Sequence, residues 1–111
     1  MNWHTLTTAE QLEQIKMESS IKPQVIFKHS TRCSISSMSL NRLNREPDFP
    51  DADFHLLDLI ANRNISQKIA EDFQVQHESP QVLVIKNGQC IYDESHNGID
   101  MHEIAEQVSL S

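Results

Sequence analysis

Cys33 lies in the run Lys28-His29-Ser30-Thr31-Arg32-Cys33-Ser34-Ile35-Ser36, where one thiol is set among hydroxyls and cations. The thiolate is the species that attacks a disulfide, so the question is whether the surroundings favour the anion. Before it, Val25-Ile26-Phe27 is a short apolar run with β-branched residues that suits a buried strand; after it, Ile35, Met38 and Leu43 fit a helix reaching about Arg45. The cysteine therefore falls where a strand hands over to a helix. Unpaired N–H groups and the positive end of the helix dipole stabilise an anion there. A thiol in such a place can drop from ~8.5 to roughly 3.5–7.5. Arg32 and Lys28 add positive charge if their side chains reach the sulfur. The spacing Cys33-Ser-Ile-Ser36 puts a hydroxyl where a resolving thiol would stand. Ser36 cannot close an internal disulfide; it can donate a hydrogen bond to the thiolate or to a bound sulfur. Against this stands the plain alternative that Cys33 is a small core residue, since free cysteines are among the most buried types. The strand–turn–helix setting and the polar neighbours favour the reactive reading.

Other residues that could do chemistry are less informative. Cys90 follows Asn87-Gly88 in a strand-like segment, which suits a half-buried strand residue better than a resolving thiol. The six histidines, His4, His29, His55, His77, His96 and His102, show no His-x-x-x-His pair, and no Cys-x-x-Cys accompanies them, so no metal site is expected. His29 and His77 remain candidates to flank the cysteine and tune it. The acidic residues between Glu46 and Asp58 read as a solvated face. Asn64-Ile-Ser66 matches a glycosylation sequon that a cytoplasmic chain would not use.

The elements that must position Cys33 follow from periodicity and punctuation. Asn2–Leu6 reads as a short strand, and Thr8-Ala-Glu-Gln11 is a capping box that opens a helix with Leu12 and Ile15 on its apolar face. Pro23 ends that region and Gln24–His29 is the buried strand. After the loop Glu46–Asp51 comes a strand from Asp53 to Ile60, then a helix from Asn62 or Asn64 with Ile65, Ile69, Ala70 and Phe73 on one side. Gln81–Lys86 and about Gln89–Glu94 flank Asn87-Gly88, the strongest short hairpin signal, because a type I′ turn needs positive φ at both residues. Asp100, with Glu103 three residues on, caps a last helix carrying Met101, Ile104, Ala105 and Val108. Alternating strands and helices imply an α/β protein: a mixed central sheet of four to five strands, helices on both faces, and a C-terminal hairpin and helix. This order matches a thioredoxin-like fold. In that fold a proline entering the strand beside the nucleophile is cis and aligns backbone groups with an extended substrate, so Ser79–Pro80 is expected to be cis.

Composition narrows the function classes. At 111 residues the chain is expected to form one domain over 1–111. Apolar residues make up 38% and aromatics 5%, so the core is aliphatic and modest. The net charge of −7 argues against nucleic acid as a partner. No apolar run approaches the roughly 18 residues of a membrane span, and no signal peptide is evident. Two cysteines cannot form a disulfide framework, so a soluble cytoplasmic monomer is the expectation.

The segments Lys28–Ser36, Glu78-Ser-Pro-Gln81, Lys86-Asn-Gly88 and the pair Ser95-His96 together resemble the YtxJ family, the monothiol bacilliredoxins of the bacillithiol redox system. The resemblance runs from the first helix to the hairpin. It implies a thioredoxin-like fold, a cytoplasmic location, no bound cofactor, and bacillithiol as the co-substrate. Carried onto this chain, it makes Cys33 the nucleophile that takes bacillithiol from client proteins, leaving a mixed disulfide that a second thiol must release. Ser36 and Pro80 join Cys33 in the catalytic group. Arg32, Lys28, Thr31, Ser34 and Ser79 are the expected substrate contacts, Arg32 and Lys28 toward the malate carboxylates of bacillithiol and Ser79 through its backbone. Family members commonly carry Cys-Pro-Ile-Ser, and Ser34 replaces that proline here. Thioredoxins bury an acid six residues before the nucleophile to assist an internal disulfide; Phe27 stands there in this chain, in keeping with Ser36. Two other classes stay open at this point: an iron–sulfur carrier of the monothiol-glutaredoxin type, which usually has Gly-Phe where this chain has Ser34-Ile35, and a non-catalytic thioredoxin-fold binding module.

Overall fold

The computed structural model describes residues 1–110. Its elements are β1 (Trp3–Thr5), α1 (Ala9–Glu18), β2 (Gln24–His29), α2 (Ser34–Arg45), β3 (Asp53–Asp58), α3 (Arg63–Phe73), β4 (Gln81–Lys86), β5 (Gln89–Ser95), a 3₁₀ turn η1 (His96–Gly98) and α4 (Met101–Ser109). They form one five-stranded sheet in the order β1-β3-β2-β4-β5. β1, β3 and β2 are parallel; β4 lies antiparallel to β2, and β5 antiparallel to β4.

Burial decides this order. β2 and β4 each carry a central apolar run and are buried on both faces along nearly their whole length, as central strands are. β1 has three residues and β5 alternates exposed with half-buried positions, so both are edges. Side chains alternate across β2 and β4 into two cores. Ile26, Leu83 and Ile85 meet α1 and α3 through Leu12, Ile15, Ile65, Ile69 and Phe73. Val25, Phe27, Val82 and Val84 meet α2 and α4 through Leu43, Met101, Ile104 and Val108. Phe27, at the position of the thioredoxin acid, is fully buried in this second core beside Trp3, whose ring meets it edge-on at 6.0 Å.

Local signals end the elements largely where the sequence places them. Thr8 and Gln11 make the full capping box. Asn87 and Gly88 both take positive φ, 52° and 75°, as the hairpin requires, and their N–H groups bond to Ser19 at the end of α1. Two boundaries differ. The strand expected to reach Ile60 stops at Asp58, because the Asp58 carboxylate turns back to accept the Ile60 N–H. Asp100 stands at the N-cap of α4 but its side chain makes no cap bond, so the expected box with Glu103 does not form. No helix among the described residues is long and apolar enough to cross a membrane.

The Thr8 cap fixes the start of α1, which anchors the hairpin turn through Ser19. Thr8→Ala is expected to destabilise the protein by about 1 kcal/mol, read as a lower urea midpoint with an unchanged m-value.

Candidate active site

Antiparallel pairing of β2 with β4 sets Lys28 opposite Gln81, so the chain leaving β2 and the chain entering β4 emerge at one end of the sheet. Gln81 also pairs with Ser95, which brings the end of β5 to the same place. Cys33, the turn Ser79–Pro80 and η1 therefore converge at one edge of the fold. The Ser79–Pro80 bond is cis. Hydrogen bonds lock the segments together: His96 N–H donates to Pro80 O (3.0 Å), and Ser39 Oγ on α2 donates to His96 O (3.3 Å).

Cys33 is the N-cap residue of α2, half-buried, with an extended backbone (φ −113°, ψ 120°) and no cap bond from its side chain. The expected strand–turn–helix placement is thus present, with the sulfur at the positive end of a twelve-residue helix. α2 itself is pinned from several sides. Trp3 Nε1 donates to Asn44 Oδ1 (2.7 Å), and Arg42 donates to Ile99 O (3.0 Å).

Ser36 is fully buried, and its hydroxyl is engaged elsewhere than expected. Oγ accepts the Ser30 N–H (3.0 Å) and lies 2.6 Å from His29 Nδ1. Burial pushes the His29 imidazole below its usual range, while Asp58 pulls the other way. Through these two contacts Ser36 holds the Ser30–Cys33 turn onto the helix. His29, named as a flanking candidate, acts on the site through this bond.

Lys28 does not take the position expected of a substrate contact. It is fully buried, on the α1/α3 face of the sheet, opposite to the face that α2 covers. Its Nζ donates to Gln81 Oε1 (3.1 Å), and Gln81 Nε2 donates to Gln76 O (3.0 Å), so the lysine braces the segment that leads to Pro80. Burial drives its pKa down to about 8 against the pull of Glu78. The strand period, odd or even, placed it on the wrong side for the substrate; its position in β2 was the signal available. His77 lies on this side too, with Nδ1 3.3 Å from Ser66 Oγ; burial lowers its pKa and the Lys28 charge adds to the effect.

Thr31, Arg32 and Ser34 are exposed around Cys33, and Arg32 makes no hydrogen bond or ion pair among the described residues. Ser79 Oγ is buried and has no hydrogen-bond partner, beside the cis-proline. Two site residues escaped the sequence reading. Glu78 and His96 face each other at the rim, with carboxylate and Nε2 3.6 Å apart. Their only sequence signal was proximity to Pro80 and to the end of the hairpin.

Cys90 lies at the far end of the hairpin, paired with Ile85, where the register jumps from Val84–Tyr92 to Ile85–Cys90. Ile85 is four residues along β4 from Gln81, roughly 13 Å. A disulfide needs Cα atoms within about 7 Å, so Cys90 cannot resolve Cys33 without rebuilding the sheet. Its Sγ donates to Tyr92 O (3.2 Å), and burial raises its pKa to about 11. Among the described residues no three His, Cys, Asp or Glu side chains stand together as a metal ion would need.

Two outcomes follow from these environments. Iodoacetamide at pH 7.5 is expected to label the native protein once, at Cys33, and twice in urea; mass spectrometry of peptides reads the sites. Lys28 has a folded pKa below its unfolded value, so the unfolded chain binds more protons between pH 8 and 10.5 and stability rises with pH across that window. The rise from this residue is about 2–3 kcal/mol between pH 7 and 10. Urea unfolding of Lys28→Met should lack it. Cys90 titrates in both proteins and cancels in the difference.

Comparison with known proteins agrees with this site. Residues 4–104 match the family model of the monothiol bacilliredoxin BrxC. A solved thioredoxin-fold structure described as that of an oxidoreductase shares 29% identity, with a TM-score of 0.80 over 93% of this chain and 90% of the other. The thioredoxin of Malassezia sympodialis superposes with a TM-score of 0.74 at 19% identity over 96% of this chain and 88% of its own. The thioredoxin of Fasciola hepatica gives 0.70 at 19% identity over 95% of each chain. These last two share the fold alone. With a family match across nearly its whole length and a lone thiol at the head of α2, the chain belongs to the monothiol bacilliredoxin family.

Proposed function

We propose that this protein is a monothiol thiol–disulfide oxidoreductase that removes bacillithiol from protein mixed disulfides, with Cys33 as nucleophile. The observation that carries the reading is the position of Cys33: half-exposed at the N-terminus of α2, beside the cis-Pro80 turn, with the second thiol at the other end of the sheet. The Cys33 thiolate attacks the bacillithiol sulfur of the client disulfide. A Cys33–bacillithiol S–S bond forms, the client S–S bond breaks, and the client leaves as a thiolate that takes a proton from water. Ser36 cannot carry the reaction further. A second low-molecular-weight thiol, as thiolate, attacks the bacillithiol sulfur, returns Cys33 as thiolate and leaves with bacillithiol as a disulfide.

Each surrounding residue has a part. The backbone at Ser79 and Pro80 aligns the client strand. Arg32, exposed and uncommitted, offers a fork for the malate carboxylates. Thr31 and Ser34 supply hydroxyls at the rim, and Ser36 keeps the turn in shape through Ser30 and His29. Lys28 is left out of the contacts by its burial. The protein works as a single chain in the cytoplasm, where a reduced thiol pool supplies the second thiol.

Incubation with bacillithiol disulfide, followed by intact-mass measurement, tests the reading. A single bacillithiol adduct is expected, formed faster than the glutathione adduct at matched concentration, lost in Cys33→Ser and kept in Cys90→Ser. An adduct that follows Cys90, or none, overturns it.

A further inference from the structure

Glu78 is the carboxylate at the site. Its carboxylate accepts no hydrogen bond among the described residues, and its near partner is His96 Nε2 at 3.6 Å, beyond hydrogen-bond length. Both side chains are open to solvent, at 43% for Glu78 and 51% for His96. Beneath them, the buried Lys28 ammonium feels the Glu78 charge. The carboxylate thus stands at the exposed rim, one residue before Ser79 and two before Pro80.

His96 is built to hold this rim. Its φ is +57°, a left-handed conformation that histidine enters more readily than most residues with a Cβ. Both of its backbone groups are spent on the site, N–H to Pro80 O and C=O to Ser39 Oγ. The backbone so tied places the imidazole beside Glu78.

Resting on the disulfide exchange proposed above, we infer that Glu78, held by His96, reads the free α-ammonium of a cysteinyl thiol bound to Cys33, and so selects aminothiols over thiols whose amine is acylated. On that exchange reading, a partner joined to Cys33 runs along the backbone at Ser79 and Pro80, next to Glu78 in the chain. In a cysteinyl partner the amine sits on the carbon next to the one bearing that sulfur, so it is the nearest charged group the partner brings. A carboxylate at Glu78 pairs with it when it is an ammonium and gains nothing when it is an amide. Bacillithiol carries its cysteine amine free. Glutathione and coenzyme A hold the corresponding nitrogen in an amide. Glu78 therefore separates them by one charge, independently of the malate and Arg32.

The test uses two disulfides that differ only at the amine, cystine and N,N′-diacetylcystine. The rate of Cys33 adduct formation is followed by intact mass in the wild type, Glu78→Gln and Glu78→Asp. In the wild type, Cys33 attacks either disulfide, forms the mixed disulfide and releases one equivalent of the free thiol. The cystine-to-diacetylcystine rate ratio is expected to fall roughly fivefold in Glu78→Gln, the scale of one part-exposed ion pair. That fall comes from slower reaction with cystine and an undiminished rate with diacetylcystine. Intrinsic differences between the two reagents cancel in this comparison. Glu78→Asp should keep part of the preference, and added salt should shrink it in the wild type. A ratio unchanged in Glu78→Gln, or both rates falling together, overturns the inference while leaving Cys33 as nucleophile. If neither reagent modifies Cys33 in the wild type, the exchange reading fails with it.

Discussion

The antiparallel pairing of β2 with β4 is the constraint on which the site rests. Both strands are buried on both faces, so their register cannot slip without moving apolar side chains into the wrong core. With Lys28 held opposite Gln81, the turn that leaves β2 and the turn that enters β4 are forced side by side. Cys33 and Pro80 are brought to one edge by that register, although 46 residues lie between them and the chain runs through α2, β3 and α3 on the way. β5 repeats the device: its pairing with β4 brings η1 to the same edge.

Around this pairing the polar groups divide by the face they occupy. On the α2 side, Ser36, His29 and the Ser30 amide fix the approach to the nucleophile. On the α1/α3 side, Lys28, Gln81 and the Gln76 carbonyl brace the approach to the proline. Neither network contacts the substrate in the reading advanced here; each holds one wall of the groove. A buried lysine is a costly brace, since burial opposes its charge. Its Nζ supplies the donor that the Gln81 side-chain oxygen accepts in the interior. The groups left for partners are those at the rim: the Cys33 sulfur, the Arg32 guanidinium and the Glu78 carboxylate.

A single thiol also explains what occupies the position of the thioredoxin acid. An internal disulfide must open and close with proton movement beneath it, and a buried carboxylate serves that step. Here Ser36 stands where the second thiol of the motif would be, and Phe27 fills the space as core, in edge contact with Trp3. The burial of Cys90 at the remote end of the hairpin completes the separation of the two sulfurs.

The order of elements, the capping box of α1, the Asn87-Gly88 hairpin and the placement of Cys33 at a strand–helix junction were legible in the sequence, because each depends on residues near one another in the chain. The family resemblance was legible for the same reason, in short runs around Cys33 and Pro80. What the tertiary structure decided were the directions and partners of polar side chains. Lys28 and Cys33 are close in sequence, yet alternation along β2 sends the lysine to the far face. Ser36 looked toward the sulfur by spacing, but His29 and the Ser30 amide, brought beside it by the fold, claim its hydroxyl. Glu78 and His96 stand in segments that carry the resemblance, but no role could be given to either, since their pairing exists only after β4 and β5 have set the two turns together. Local chemistry writes the elements and the nucleophile; long-range register chooses which charges stand around it.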